Sequence, residues 1–383
     1  MYILPEDNNV EVGILEKLLD LDKLTMSYKL FWFAGILEEI KNSNQDISFR
    51  RIVCRMLAAS WYPLLQYRLN LGVGDQLNNI VTLLHTRHNL PVDIREKDLL
   101  EFLEKMQDAE IEKAISSLYN FVPYRLIAPF FSRDLAGIKN NNSRNIMIAD
   151  LSQKTTRALY KINRSDKRIY INNAWFDYIY RNQGIVAGWH KFKTINYLQK
   201  KNPNTPAIPF KLSIQSKRNL SSATKFWNSI KERQILYDIY SGQVMTRDNF
   251  EKYGEMSIDH FIPWSFVLHD ELWNLAPTFK NVNSSKSNKL PKMDLYLDKF
   301  CDLQYAAFNM IRQDRKDRES KKILEDYLTI NKKLDLNYLL NKDKEITKAE
   351  FADSLKATIS PLHQIAYNQG YEVWHNDTYR GKN

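Results

Sequence analysis

The sequence has little cysteine, no long apolar run and, in one region, few acidic residues. Cys54 and Cys301 are its only cysteines, which excludes a disulfide-rich scaffold and a four-cysteine zinc site. The longest apolar run, Leu30 to Leu37, is far shorter than the roughly 20 residues that span a bilayer. The first residues are neither basic nor part of a long apolar stretch, so no signal peptide is expected. We therefore expect a soluble, cytoplasmic protein with no membrane partner.

Acidic residues are scarce in the middle of the chain. Residues 151–250 hold 18 Lys and Arg against 5 Asp and Glu, a net charge of +13, whereas residues 1–150 carry −3 and residues 251–383 carry 0. Basic charge concentrated in this way is typical of a phosphate-binding surface, and a solvated basic face is the alternative. The lysines and arginines that we predict to contact nucleic acid are Lys191, Lys193, Lys211, Lys217 and Arg218.

Apolar residues recur at helical spacing through residues 10–120. Ser48 and Asp75 are expected N-caps within this block. An all-helical, slightly acidic block favours a protein partner or a homodimer over DNA. In the basic region, the alternation around Leu159–Ile171 predicts a short hairpin, which two helices follow at Ala174–Arg181 and Ile185–Lys200.

The stretch from Met256 to Pro291 carries the candidate chemistry. The segment Thr246–Glu255 is expected to be an insertion before the strand. The strand is expected to end at Asp259-His260, and a long loop then leads to Trp273-Asn274-Leu275. Thr278 is a good N-cap for a helix that Pro291 stops. Asn283 and Lys286 are three residues apart on that helix, so both can reach the strand end.

Asp259 is a hard oxygen ligand of the kind that Mg²⁺ prefers. A cation between Asp259 and Asn283 would polarise a phosphate oxygen. Histidine is a common general base, so His260 could take a proton from an attacking water. His269 lies in the loop and is expected to face solvent.

These residues resemble the HNH endonucleases, whose core is a ββα-metal finger. Asp259-His260 matches the pair that ends the second strand, and Asn274 matches the middle Asn. Asn283 lies nine residues later, at the third motif position, and its identity makes this the H-N-N variant. Lys286 ends the usual Asn-x-x-Lys. The resemblance implies that His260 is the general base, that Asp259 and Asn283 bind the metal, and that Asn274 braces the loop and orients His260.

The sequence departs from the family where many members have two Cys-x-x-Cys pairs that bind a structural zinc. Phe279 and Val282 replace the second pair, and Tyr237–Gly242, where the first would fall, has no cysteine. We expect a small apolar core in place of the zinc, and Mg²⁺ or Mn²⁺ as the cofactor.

These patterns predict a mainly α, multidomain α+β protein with a small ββα-metal nuclease finger. The four expected parts are a helical domain at 1–145, a basic region at 146–222, an HNH endonuclease domain with flanking helices at 223–345, and a helix and tail at 346–383. The first boundary is expected in the polar loop Lys139–Asn145, and the later flanking helices are expected at Leu295–Asn309 and Lys321–Leu340.

The predicted function is a metal-dependent DNA endonuclease, by analogy a bacterial restriction or phage-defence effector. Two alternatives are open. One is a nuclease subunit that is activated when a partner docks on the helical domain. The other is a non-catalytic DNA-binding protein with a degenerate finger.

Overall fold

The contacts within the chain divide it into two units. A computed structural model describes residues 4–213, 218–313, 323–330 and 346–376. The first unit comprises Met1–Pro203 with Ile208–Ile214, and the second comprises Asn204–Ala207 with Gln215–Asn383. Both are mainly helical, and the described residues form one three-stranded and one two-stranded sheet. The prediction of a mainly helical protein with small sheets is confirmed.

The helices of the first unit begin where polar side chains can cap them. Ser48 accepts a hydrogen bond from the backbone nitrogen of Arg51 (3.1 Å), and Asp75 accepts one from that of Leu77 (3.0 Å), so both predicted N-caps are present. The helices are α1 (Ile14–Leu18), α2 (Tyr28–Lys41), α3 (Phe49–Leu65), α4 (Gln76–His88), α5 (Glu96–Lys105), α6 (Ala109–Leu118), α7 (Val122–Ile127), α8 (Asn141–Gln153), α9 (Asn173–Arg181) and α10 (Gln183–Lys201).

The predicted hairpin is part of an antiparallel sheet. Strands β2 (Tyr160–Asn163) and β3 (Arg168–Ile171) pair with each other, and β1 (Asp46–Ser48) pairs with the other edge of β3. The basic region therefore shares a sheet with the N-terminal helical block. The expected boundary after residue 145 falls inside α8, because Asn140 caps a helix where we expected a polar loop.

The second unit contains the Met256–Pro291 stretch. Its two strands, β4 (Met256–His260) and β5 (Leu275–Phe279), are antiparallel, with Asp259 opposite Ala276 and His260 opposite Leu275. The helices are α11 (Ser221–Arg233), α12 (Arg247–Tyr253), α13 (Trp264–Val267), α14 (Lys280–Lys286), α15 (Met293–Gln313) and α16 (Lys348–Asn368). Much of the helix expected at Lys321–Leu340 lies outside the described residues.

The core of the second unit packs α15 and α16 behind the two strands. Phe261, which follows β4, stacks on Phe300 of α15 with ring centroids 4.2 Å apart. Gln304 of α15 donates to the carbonyl oxygens of Leu272 (3.0 Å) and Leu275 (2.7 Å). These bonds fix the point where the loop after β4 returns into β5.

Gly254 connects α12 to β4 with φ +85°, a conformation that other residues rarely adopt. A Cβ atom there would lie 3.1 Å from the Cβ of Lys280 and 3.2 Å from Oδ1 of Asn281. Glycine therefore allows α12 to approach the start of α14. Within the described residues, the helices are too short or too polar to cross a membrane.

Candidate active site

Asp259 lies in β4, one residue before its end, and its side chain is almost completely buried. Its Oδ2 accepts a hydrogen bond from the Tyr240 hydroxyl (2.6 Å) and lies 3.0 Å from the Lys286 ammonium. Its Oδ1 accepts from the same ammonium (3.1 Å). Charge-assisted bonds of this kind hold a carboxylate in a fixed orientation. Burial and the charge of Asp259 raise the pKa of the Tyr240 hydroxyl well above its usual value, so it remains a donor.

Lys286 is the last residue of α14 and is fully buried. It also donates to the backbone carbonyl of His260 (2.7 Å), so one ammonium ties α14 to two successive residues of β4. Burial lowers its pKa, and the neighbouring Asp259 carboxylate opposes that shift. The fold therefore places a positive charge directly against the Asp259 carboxylate.

His260 ends β4, and its ring is 5% exposed. Its Nε2 lies 2.8 Å from Oδ1 of Asp270, a residue in the loop between the strands. When Nε2 carries the proton and donates it to the carboxylate, Nδ1 keeps its lone pair. Sequence reasoning missed Asp270. The only sequence feature that could have indicated Asp270 was its position, as an acidic residue, in a loop that must return beside the strand end.

Asn274 lies at the end of a 3₁₀ turn (Leu272–Asn274) and is fully buried. Its side-chain amide pairs with the backbone of Ile262, accepting from the nitrogen and donating to the oxygen, both at 2.9 Å. Its own backbone oxygen accepts from the nitrogen of Phe261 (2.8 Å). These bonds clamp the chain immediately after His260.

Asn283 lies in the middle of α14 and is half-buried. Its Nδ2 donates to Oγ of Ser257 (2.8 Å) and to the carbonyl oxygen of Ile258 (3.2 Å). Because the amide nitrogen faces β4, Oδ1 is the atom that Asn283 can present to a cation.

The structure brings these predicted residues together to different degrees. Lys286 contacts Asp259 and His260 directly, whereas Asn274 and Asn283 hold the backbone on either side of that pair. The Asp259 carboxylate and the His260 ring have different partners, as expected for neighbours on a strand.

Four local expectations were wrong. Asp259-His260 ends β4, the first strand of the two-stranded sheet, and not the second. Thr278 is inside β5, and α14 begins at Lys280. The segment 246–255, expected to be an insertion before the strand, contains α12. His269 is half-buried against Trp273, with ring centroids 5.2 Å apart, and burial lowers the pKa of His269 to about 4.

Apolar side chains surround the positions where the resemblance placed zinc-binding cysteines. Phe279 and Val282 are fully buried. Phe279 packs against Phe250 and Tyr253 of α12, with ring centroids 5.8 Å and 5.3 Å away. These contacts belong to the kind of small core that we predicted in place of zinc.

The donors at the end of β4 suit a small, hard cation. Among the described residues, three or more His, Cys, Asp and Glu side chains do not converge on any one point. One carboxylate and one amide oxygen, completed by substrate and water, are the donors that Mg²⁺ and Mn²⁺ accept. The Lys286 ammonium lies 3.0 Å from Oδ2 of Asp259, so a metal ion bound there would share the carboxylate with it.

Residues 238–292 match the family model described as HNH endonuclease. This segment is similar to the HNH endonucleases. The match begins at Asp238 and contains β4, β5 and α14, so it includes every motif residue from Asp259 to Lys286. The predicted resemblance to the HNH endonucleases is confirmed over this segment. No curated protein and no solved structure matches the chain.

Outside residues 238–292, the residues predicted to contact nucleic acid differ in their exposure to solvent and in their ion pairs. Lys191 is exposed, whereas the side chain of Lys193 is 16% exposed and pairs with Glu16. Lys211 is buried, and burial lowers its pKa to about 7, so a surface phosphate contact at Lys211 does not fit the structure. Arg218 is exposed, with its guanidinium 4.9 Å from the ring centre of Trp264. Lys217 lies outside the described residues.

Other cations of the basic region are more accessible. Four of them lie between α8 and the β2–β3 turn, are exposed or half-buried, and make no ion pair within the described residues: Lys154, Arg157, Lys161 and Arg164. By contrast, Arg168 pairs with Asp46 (2.8 Å) and Arg181 with Asp7 (3.0 Å).

Proposed function

We propose that this protein is a metal-dependent endonuclease that hydrolyses phosphodiester bonds in DNA, with β4, β5 and α14 as its ββα-metal finger. The observation that carries the proposal is the contact of Lys286 with both Asp259 and His260, inside the segment that matches HNH endonucleases. This contact supports a site at the end of β4.

Asp259 and Asn283 would hold the metal, through a carboxylate oxygen and through Oδ1. Mg²⁺ or Mn²⁺ bound there supplies positive charge that polarises a phosphate oxygen and stabilises the leaving oxyanion. Lys286 adds a fixed positive charge beside the carboxylate. We propose no structural zinc.

His260 takes a proton from a water molecule through Nδ1, because Nε2 is engaged with Asp270. The water oxygen then bonds to phosphorus as the bond from phosphorus to one bridging oxygen breaks. The bonds from Asn274 to Ile262 keep the His260 backbone in place during this step.

One observation favours the alternative of a partner-activated nuclease. The Asp259 carboxylate is bonded to Lys286 and to Tyr240 and is almost completely buried. A cation must share or displace one of these donors, and a docked partner or bound DNA could promote that exchange. The non-catalytic alternative has no such support, because every motif residue is present.

DNA would bind through the basic region. The support is the +13 net charge of residues 151–250, together with the accessible cations Lys154, Arg157, Lys161 and Arg164. Lys191, Lys217 and Arg218 stay in the proposed set, Lys193 is a weaker member because it pairs with Glu16, and buried Lys211 is removed from it.

A restriction or phage-defence role in the cytoplasm is proposed by analogy with other HNH nucleases. A homodimer or a protein partner of the helical block is likewise a proposal from composition.

A plasmid-nicking assay tests the function. The purified protein should convert supercoiled plasmid to open-circular or linear DNA with Mg²⁺ or Mn²⁺ and should be inactive in EDTA. Gel filtration of the same sample gives its oligomeric state. DNA binding without nicking under any metal condition would favour one of the two alternatives.

A further inference from the structure

We propose that Asp270 is the positioning residue of the general base, holding His260 in the tautomer and orientation that hydrolysis requires. The proposal rests on the proposed nuclease function. It concerns a residue outside the set that motif spacing identified.

The contact between the two side chains is short and largely shielded. Nε2 of His260 lies 2.8 Å from Oδ1 of Asp270, and the His260 ring is almost fully buried. The Asp270 side chain is 32% exposed, so its carboxylate meets the ring from the solvent side. A hydrogen bond in such a partly desolvated place is stronger than one at an open surface.

The loop that carries Asp270 is fixed on its C-terminal side. The backbone nitrogen of Leu272 donates to Oδ2 of Asp326 (3.2 Å), and Gln304 holds the carbonyl oxygens of Leu272 and Leu275. Two residues before these anchors, Asp270 is therefore held at the strand end by the core of the second unit.

This contact decides which nitrogen of His260 is the base. The acceptor at Nε2 favours the tautomer with a proton on that atom, which leaves the Nδ1 lone pair for water. Without the carboxylate, the ring can adopt the other tautomer or rotate about its χ angles. In either case the histidine is still present, but its Nδ1 lone pair no longer faces the water molecule.

Single-turnover and steady-state cleavage of a DNA duplex with Mg²⁺ give the first test. Asp270→Ala should lower kcat by about 10- to 100-fold, with little change in KM. A loss of this size is typical when the hydrogen-bonded partner that orients a functional histidine is removed. Asp270→Asn should recover part of the loss, because its amide oxygen can still accept from Nε2. Glu271→Gln, a change on the same loop, is the matched control and should retain wild-type kcat.

The double variant separates a positioning role from a structural one. If Asp270 acts through His260, Asp270→Ala should cost nothing further in a His260→Ala background. An equal additional loss there would overturn the proposal, as would wild-type kcat in Asp270→Ala.

A second readout does not depend on activity. In ¹⁵N-histidine NMR spectra near pH 8, the wild-type His260 ring should show the Nε2–H tautomer, and Asp270→Ala should shift it toward Nδ1–H. An unchanged tautomer in Asp270→Ala would overturn the proposal. If the wild-type protein shows the expected tautomer but cuts no DNA with any metal, the proposed function fails, and the catalytic role of Asp270 fails with it.

Discussion

At the scale of single residues, the centre of the site is a carboxylate that is held by two buried donors. Tyr240 and Lys286 come from different parts of the HNH segment, and both bond to Asp259. The motif predicted Lys286 near the site, whereas nothing in the spacing predicted Tyr240. Tyr240 is 19 residues from Asp259 in sequence, and the packing of its ring on Tyr296 and Trp374 helps to direct its hydroxyl to Asp259.

Removing the Tyr240 hydroxyl should destabilise the second unit. Tyr240→Phe deletes a hydrogen bond to a charged acceptor, which typically contributes about 1.5–3 kcal/mol to the free energy of unfolding. Tyr237→Phe is the matched control, because Tyr237 is 53% exposed and should change stability little. Urea denaturation of both variants measures the difference. Equal stabilities would mean that the hydroxyl does not support Asp259.

Glu271 should make stability depend on pH. Burial, followed by the charge of Asp326, raises its pKa from 4.5 to about 7. A carboxyl group whose pKa is higher in the folded state binds protons more tightly there, so its stabilising contribution is complete below pH 4.5 and is lost as the pH rises through 7. In Glu271→Gln, this part of the pH dependence should be absent. Melting temperatures of the two proteins between pH 4.5 and 8 check the sign, and parallel curves would contradict it.

At the scale of secondary structure, the sequence predicted elements with clear periodicity or caps and missed those that depend on tertiary contacts. The β2–β3 hairpin and α10 follow from alternation and helical spacing. Strand β5 was missed because Pro277 and Ala276 have low strand propensity, and it forms because β4 and the core of the second unit cover it completely. The Thr278 cap fails for the same reason, since that residue belongs to the strand.

The C-terminal tail, whose role the sequence did not reveal, packs against α14 and Tyr240. Val373 forms a parallel bridge with Leu290, just after α14. The backbone nitrogen of Trp374 donates to the oxygen of Leu290 (2.7 Å), and its ring nitrogen donates to Oγ of Ser285 (3.2 Å). The indole ring also packs on Tyr240, with ring centroids 5.4 Å apart. The tail therefore supports both α14 and the Tyr240 ring.

Trp374→Ala should cost about 3–5 kcal/mol in the free energy of unfolding of the second unit, because a buried tryptophan leaves a large cavity. Tyr367→Ala, a truncation of a side chain that is 53% exposed on α16, is the control and should cost far less. Thermal and urea denaturation give both values. Similar losses would show that the tail does not support α14.

At the scale of the whole molecule, the sequence located the segment that is similar to HNH endonucleases and the basic region but not the individual cations that solvent can reach. The net charge counted from the sequence takes no account of which side chains are buried or paired with an acidic residue. Lys193 pairs with Glu16, more than 170 residues away in sequence, and Lys211 is enclosed by the fold. The accessible cations lie instead around the β2–β3 turn.

Reversing the charge of those accessible cations should weaken DNA binding without changing the chemistry. The variant combines Lys154→Glu, Arg157→Glu, Lys161→Glu and Arg164→Glu. Each lost phosphate contact should flatten the salt dependence of log K by about 0.9 on duplex DNA. Fluorescence anisotropy with unrelated duplexes in EDTA measures the affinity, and cleavage at saturating DNA should keep the wild-type rate.

The control for this variant reverses four exposed lysines in the acidic part of the first unit. They are Lys17, Lys97, Lys113 and Lys139. This control changes the net charge equally, so an equal loss of affinity would mean that total charge, and not the surface around the β2–β3 turn, decides binding.

The central claim is that the end of β4 is a working nuclease centre with His260 as its base. Plasmid nicking by His260→Ala, measured with Mg²⁺ beside His269→Ala and the wild type, tests it most directly. General-base help typically accelerates a reaction by 10²- to 10⁴-fold, so His260→Ala should lose that much while it still binds DNA, and His269→Ala should remain active. Near wild-type nicking by His260→Ala would contradict the account.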